Sequence, residues 1–168
     1  MGQRNNAIRI SLIIVMTALT AVSTMLIQIP IPLVGYFNLG DVMIFVSALT
    51  FGPIVGGFAG GIGSAIADMI LGYPQFAIPT LIIKGLEGLI AGSITNTKQV
   101  YLDVLGVTVA GVEMIVGYFI AEWLFLGYGY LNALAEIPAN IGQIAIGGII
   151  GIPIAILLRR RLPENLTT

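Results

Sequence analysis

Six apolar runs, separated by short polar or proline-rich segments, constrain the fold of this chain more than any other feature of its sequence. The runs cover residues 8–28, 39–51, 54–71, 78–95, 104–126 and 135–158. A transmembrane helix needs about 20 mostly apolar residues. Only 9% of the 168 residues are charged, which is too few to cover a water-facing surface. The sequence therefore predicts an all-α polytopic membrane protein, whose single domain over residues 1–168 is a compact bundle of six transmembrane helices.

The positive charges predict the orientation of the bundle. Arg4 and Arg9 precede the first run, Lys98 lies between the fourth and fifth runs, and arginines occupy 159–161 after the sixth. With six spans, all of these residues fall on one side of the membrane, and the loops on the other side carry no charge. Because cytoplasmic loops are enriched in Lys and Arg, we expect both termini in the cytoplasm and the bundle in the plasma membrane.

Missing residue types exclude several kinds of chemistry. The chain has no cysteine and no histidine, so it offers no disulfide, no thiolate nucleophile and no metal site with Cys or His ligands. Its net charge of −1 gives no basic field that would indicate nucleic-acid binding. We expect no cofactor and no enzymatic activity.

Ionisable side chains inside the apolar runs are the strongest functional signal, because a charge in lipid needs a partner or a purpose. Counted from the ends of the runs, most of them lie in the half of the membrane that faces the uncharged loops. They are Asp41, Asp68, Lys84, Glu87, Glu122 and Glu136. Glu113 lies nine residues before Glu122, so the two point to opposite faces of one helix. Of the two, Glu122 is favoured for a site because of its depth.

Helical spacing predicts which of these residues meet. Lys84 and Glu87 are three residues apart and share a helix face. Two further stripes are polar towards the outside and small towards the cytoplasm. They consist of Gly57, Gly61, Ser64 and Asp68 on the third run, and of Glu136, Asn140, Gln143, Gly147 and Gly151 on the sixth. The sequence therefore predicts a polar pocket near the outer surface, above a tightly packed inner half.

Each of these polar groups also has a purely structural interpretation. Lys84 and Glu87 satisfy each other as an ion pair, and Asn140 and Gln143 suit cross-links between helices. Asp41 suits the positive end of a helix dipole. The four tyrosines of the outer loops suit either a cap over the pocket or anchors at the membrane interface. They are Tyr36, Tyr73, Tyr128 and Tyr130.

Four short motifs, in this order, resemble the S components of energy-coupling factor (ECF) vitamin transporters. They are Asn38-Leu39-Gly40-Asp41, Phe51-Gly52-Pro53 before a glycine-rich run, Lys84-Gly85-Leu86-Glu87-Gly88, and Pro138-x-Asn140-x-x-Gln143. The resemblance implies a six-helix prokaryotic membrane protein that captures a vitamin or vitamin precursor from outside with high affinity. It also implies a transmembrane T component and two cytoplasmic ATPase subunits as partners. ATP would be hydrolysed there, since this chain has no phosphate-binding loop of the Walker type.

The resemblance also implies site residues. Family members bind their ligand with the first outer loop and helices four to six, which agrees with the pocket predicted from depth and spacing. The expected ligand-binding residues are Tyr36, Asn38, Asp41, Asp68, Lys84, Glu87, Glu122, Tyr128, Asn140 and Gln143. Family members dock on the T component through an Ala-x-x-x-Ala motif in the first helix. This chain lacks that motif, and its nearest match, the expected docking site, is Thr17, Ala18 and Ala21.

The expected ligand is a small aromatic ring with hydroxyl groups. A single Trp argues against the Trp-lined sites of thiamine-binding relatives, and the single intramembrane cation, Lys84, argues against carboxylate vitamins such as biotin. Pyridoxine and hydroxymethylpyrimidine fit carboxylates, amides and tyrosines best, and riboflavin fits less closely.

Two other classes of protein compete with this interpretation. A stand-alone secondary transporter would couple transport to protons through Glu113 or Glu122. An intramembrane lipid-modifying enzyme would need convergent acidic residues, but Asp41, Asp68 and Asp103 lie on three different segments.

Overall fold

Six α-helices make up most of the chain that the computed structural model describes, which is residues 2–30, 35–95, 99–163 and 166–167. They are α1 (Gly2–Leu26), α2 (Gly40–Phe51), α3 (Pro53–Leu71), α4 (Ala77–Ile94), α5 (Val100–Ile120) and α6 (Tyr130–Arg161). A π-helical turn, Ala121–Phe125, follows α5 directly. The predicted all-α bundle of apolar helices is confirmed. Lys98 and the side chain of Arg4, which entered the orientation argument, lie outside the described residues.

In the described part of the chain, five helices are long and apolar enough to cross a membrane. The exception is α2, an apolar helix of 12 residues. The fifth and sixth helices begin earlier than the apolar runs indicate, at Val100 and Tyr130. At the start of α5, Asp103 belongs to the helix because its charge is buried against Arg159, and at the start of α6 the Asn132 side chain donates a hydrogen bond to the backbone carbonyl of Tyr128.

The first predicted helix ends earlier than expected and gives way to a short strand. α1 stops at Leu26, and β1 (Gln28–Pro30) pairs antiparallel with β2 (Tyr36–Asn38). Sequence periodicity did not indicate this hairpin, because each strand is only three residues long. β2 is mostly buried and leads directly into α2, so it is held against one end of the bundle.

Small residues bring the helices into close contact. A Cβ atom added to Gly88 of α4 would collide with the backbone of Gly56 on α3. A Cβ added to Gly147 of α6 would lie 2.9 Å from Asp41 Cβ and 3.0 Å from the Phe45 ring on α2. Packing of this kind is typical of membrane helices, where close backbone approach replaces the hydrophobic effect as the source of association.

The two ends of the bundle differ in character. At one end, β2 lies close to the start of α4, the end of α3 and the first half of α6, and a cavity lies among them. At the other end, Arg159 of α6 forms a buried ion pair with Asp103 of α5, which also accepts a hydrogen bond from Thr95 after α4. We call these the cavity end and the arginine end.

Candidate ligand-binding site

The cavity end contains a polar cavity whose outline, including the part open to solvent, measures about 400 Å³. Its walls come from α1, β2 and its preceding residue, α3, α4, α5 and α6. The lining residues are Thr24, Gly35, Tyr36, Asn38, Ser64, Asp68, Phe76, Thr80, Lys84, Tyr118, Glu136, Asn140 and Gln143. The space between these side chains has room for only a few water molecules. The side chains must therefore move to admit a ring-sized ligand.

Lys84 forms the charged centre of the site. Its Nζ is paired with a carboxylate oxygen of Asp41 and lies 2.9 Å from Glu87 Oε2. All three side chains are buried, and only Lys84 reaches the cavity. Sequence spacing predicted the Lys84–Glu87 pair. The pairing with Asp41 joins α2 to α4 and depends on how two helices pack, which helical spacing within one helix does not indicate.

Tyr36 connects β2 to the end of α3. Its hydroxyl donates a 2.5 Å hydrogen bond to Asp68 Oδ1, and both side chains are buried. Burial, together with the neighbouring carboxylate, raises the pKa of Tyr36 well above its ordinary value. The phenol therefore stays protonated and remains a donor. Nearby, the hydroxyls of Thr80 and Tyr118 are hydrogen-bonded at 3.0 Å.

A chain of amides connects α6 to the same strand. Gln143 Oε1 accepts a hydrogen bond from the backbone N–H of Asn38 at 3.0 Å, and Gln143 Nε2 donates to Asn140 Oδ1 at 3.0 Å. Asn38 Oδ1 accepts a hydrogen bond from the backbone N–H of Gly40 at 2.8 Å, at the start of α2. The polar atoms of Gln143 are therefore committed to the protein. Those of Asn140 are only partly used, which leaves its amide nitrogen for the cavity.

Two neighbouring glutamates complete the polar groups of this end: Glu136 lies one turn before Asn140 on the same face of α6, and Glu122 is beside it. Glu136 lines the cavity with 5% of its surface exposed. Glu122 is fully buried beside it. Glu122 belongs to the π-helical turn, a local widening of the helix that often marks functional positions. In the described part of the chain, the oxygens of Glu122 and Oε2 of Glu136 have no partner other than the contact between the two carboxyl groups.

The ten predicted ligand-binding residues fall into two groups in the structure. Six line the cavity: Tyr36, Asn38, Asp68, Lys84, Asn140 and Gln143. The other four lie outside its lining. Asp41 and Glu87 pair with Lys84, Glu122 lies beside Glu136, and Tyr128 packs on Phe76 with ring centroids 5.8 Å apart. Ligand contact by any of them stays a prediction.

Several lining residues were not among those predicted. Glu136 and Ser64 belonged to the polar stripes that the sequence revealed, so spacing was sufficient to find them. Tyr118 and Thr80 had no such signal, because a single hydroxyl in an apolar helix does not show which way it faces. Thr24 is contributed by α1, which the sequence assigned to docking.

The predicted docking residues do not share one exposed face of α1. Ala18 is exposed, Thr17 is half-buried and Ala21 is buried. The reason is that α1 packs on α3, where a Cβ added to Gly63 would lie 2.7 Å from the carbonyl oxygen of Thr17. The small residues of α1 therefore pack against another helix of the same chain. Docking on a partner through these residues stays a prediction.

Comparisons with known proteins agree with one another on the family. The family described as ECF-type riboflavin transporter, S component, matches residues 4–160. An uncharacterised protein of Pyrococcus woesei is 46% identical over 143 residues, covering 84% of this chain and 95% of the relative. The thiamine precursor transporter HmpT of Lactococcus lactis subsp. cremoris (strain MG1363) is 30% identical over 157 residues, which cover 92% of this chain and 90% of the relative.

The fold also has a solved counterpart. The structure of the S component of a bacterial ECF transporter superposes with a TM-score of 0.69, covering 93% of this chain and 95% of that one. The two sequences are 23% identical, so this likeness concerns the fold.

Proposed function

Since the chain belongs to the S components of ECF-type transporters, we propose that it is the membrane-embedded subunit that binds the substrate of a vitamin or vitamin-precursor importer. The observation that carries this proposal is the enclosed polar cavity at one end of an apolar bundle. Polar side chains are costly inside a membrane protein unless they bind something. Here they converge from five helices and one strand on a single space.

The ligand in this proposal is a small hydroxylated aromatic ring of the pyridoxine or hydroxymethylpyrimidine class, with riboflavin next. Support comes from the lining, which combines the rings of Phe76 and Tyr118 with carboxylates and amides. The relative HmpT is described as a thiamine precursor transporter, which favours the pyrimidine. The description of the matching family names riboflavin, which is a larger ligand and would require more expansion of this cavity.

Uptake in this proposal depends on partners. The chain delivers its ligand to a transmembrane T component that works with two cytoplasmic ATPase subunits, and performs no chemistry itself. The exposed side of α1, which includes Ile10, Ile14 and Ala18, is the surface that we assign to docking. It presents apolar and small side chains, as a helix–helix contact in lipid requires.

The proposed orientation places the cavity end outside the cell and the arginine end in the cytoplasm. Arg159, Arg160 and Arg161 lie in the last turn of α6, at the end opposite the cavity. Basic residues favour the cytoplasmic side. A site that opens outward is what a plasma-membrane importer needs.

A binding panel tests this function. The purified full chain in detergent is titrated with pyridoxine, hydroxymethylpyrimidine and riboflavin, with binding read by calorimetry and by the rise in unfolding temperature. We expect saturable binding of one compound by the chain alone, without ATP or partners. Failure of the folded protein to bind any of them, together with uptake by the chain alone into liposomes under a pH gradient, would support the proton-coupled carrier instead.

A further inference from the structure

The cavity has more hydrogen-bond acceptors than donors. Lys84 is committed to Asp41 and Glu87, and the Tyr36 hydroxyl is committed to one oxygen of Asp68. Four buried carboxylate oxygens near the cavity then have no donor among the described residues, apart from the contact between the Glu122 and Glu136 carboxyl groups and the Thr80 hydroxyl near Asp68. They are Asp68 Oδ2, Glu122 Oε1, Glu122 Oε2 and Glu136 Oε2.

Unpaired acceptors of this kind are costly. A buried polar atom without a partner loses its hydration and gains nothing in return, and the loss is larger for charged groups. Sequences retain such atoms where something else satisfies them. Asp68 and Glu136 both line the cavity, with 3% and 5% of their surfaces exposed, so whatever enters the cavity meets them directly.

The backbone before β2 lies close against the Glu136 carboxylate, and aromatic rings line the same cavity. A Cβ atom added to Gly35 would lie 2.7 Å from Glu136 Oε1, so the residue before β2 closes over the carboxylate. Phe76 and Tyr118, both buried, provide aromatic surfaces in the same cavity. Phe76 is itself held between Tyr73 and Tyr128, with ring centroids 6.5 Å and 5.8 Å away.

From this geometry we propose that Glu136, supported by Glu122, sets the ligand specificity. The ligand is a planar nitrogen heterocycle, and its exocyclic amine donates hydrogen bonds to Glu136 and Asp68. This inference rests on the proposed function and deepens it. A carboxyl group matches the edge formed by an amine and the adjacent ring nitrogen with two parallel hydrogen bonds when a proton is present on either the ring nitrogen or the carboxyl group, and the pair is strongest when the ring is cationic.

The same wall discriminates among the candidate ligands. An aminopyrimidine presents its donors to the carboxylates. Pyridoxine has hydroxyl donors but no exocyclic amine, so it cannot form the hydrogen bonds from an amine to Glu136 and Asp68. Riboflavin presents two ring carbonyls on either side of a single N–H, so on that edge acceptors outnumber donors and oppose the carboxylates. Glu122 acts through Glu136 as a positioning residue, because it is fully buried and does not line the cavity.

The test compares two ligands that differ at one group: aminated hydroxymethylpyrimidine and its deaminated counterpart, in which a carbonyl oxygen replaces the amine. Affinities of the purified full chain are measured by calorimetry for the natural sequence, for Glu136→Gln and for Glu113→Gln. Glu113 is a matched control, because it is a half-buried glutamate of α5 that does not line the cavity.

We expect the natural chain to prefer the aminated compound by at least about tenfold, since a site with unpaired acceptors rejects a ligand that lacks the donor. Glu136→Gln should lower that preference about tenfold or reverse it, because the glutamine amide donates to the carbonyl of the deaminated compound. Glu113→Gln should leave both affinities unchanged.

Four results would overturn the inference. Equal affinity of the natural chain for both pyrimidines removes the specificity claim, and this measurement needs no variant. If Glu136→Gln lowers the affinities for both pyrimidines equally, Glu136 is a structural residue. Selective binding of riboflavin overturns the inference while the proposed function stands, whereas a folded natural chain that binds nothing overturns both.

Discussion

Tyr36 and Asp68, which are far apart in the sequence, are joined by a 2.5 Å hydrogen bond that connects β2 to the end of α3. This is the contact through which the segment before α2 covers the cavity. Both residues line the cavity, so a ligand that entered between β2 and α3 would displace or lengthen this bond. The pair therefore stabilises the position of β2 at the cavity.

Replacing Tyr36 with Phe should weaken the cover without removing its ring. The variant loses the β2 hydroxyl that donates to Asp68 Oδ1, and a buried carboxylate oxygen without its donor costs about 1–3 kcal/mol. We expect a lower unfolding temperature in detergent and faster amide exchange over residues 35–40. Tyr101→Phe, at a position 65% exposed, is the control and should change neither. Unchanged exchange in Tyr36→Phe would show that the bond does not hold the cover.

Alkaline pH should reveal the same interaction. The pKa of Tyr36 is raised in the folded protein by burial and by Asp68, whereas in the unfolded chain it ionises near its ordinary value of about 10. The stability due to this difference is complete below about pH 10 and is lost as pH rises above it, because the unfolded state releases the proton first. The unfolding temperature of the natural chain should therefore fall more steeply above about pH 10 than that of Tyr36→Phe. Parallel curves would contradict the assignment.

Lys84 should be required for folding mainly because of the carboxylates that it pairs. Lys84→Met leaves Asp41 and Glu87 buried without a cation, and breaking a buried pair from one side costs about 3–5 kcal/mol. We expect little folded protein from this variant and substantial recovery when Asp41→Asn and Glu87→Gln are added. The measurement is the yield of monodisperse protein by size-exclusion chromatography. If the triple variant is no better than the single one, Lys84 has another structural role.

Two glycines of α4 provide a matched pair for the helix contact with α3. A Cβ at Gly88 would overlap the backbone of Gly56, whereas a Cβ at Gly85 would have its nearest atom at an ordinary 3.6 Å. Gly88→Ala should therefore lower the unfolding temperature clearly, and Gly85→Ala should leave it unchanged or raise it slightly, since Ala favours helix. Equal effects of the two substitutions would contradict the close packing described for this contact.

The arginine end should contribute to stability and not to binding. Arg159 is paired with Asp103 and buried, while the adjacent Arg160 is exposed. Arg159→Ala leaves the buried Asp103 with only Thr95 as a partner, so we expect a lower unfolding temperature with unchanged ligand affinity in the remaining folded protein. Arg160→Ala should alter neither quantity. A change in affinity for Arg159→Ala would show that the two ends of the bundle are coupled.

Residue spacing within single helices was enough to predict much of the site. Asp68, Asn140 and Gln143 were found on polar stripes, and all three line the cavity. The same stripe included Glu136, whose proximity to Glu122 became apparent only in three dimensions. Spacing works here because residues three or four apart share a helix face, whatever the rest of the chain does.

Contacts between elements could not be predicted in this way. The Asp41–Lys84 pair depends on the register of α2 against α4, and the Tyr36–Asp68 bond depends on a strand too short to have a periodic signal. The position of Glu122 depends on the π-helical turn, which shifts the residues after it relative to a regular helix. The docking prediction had the same weakness. Small residues on one face of α1 suit contact with a partner protein, but they equally suit packing on the glycines of α3.

Native mass spectrometry of the detergent-purified chain tests the central claim most directly, followed by denaturation and identification of any released compound. The account predicts that one small nitrogen-containing aromatic compound is bound to each chain, and that it is lost from Asn140→Ala, whose amide nitrogen faces the cavity. Asn132→Ala, which alters a side chain bonded to the backbone of Tyr128 outside the cavity lining, should retain it. A folded natural chain that carries no compound and binds none of the three candidate vitamins when they are added would contradict the account.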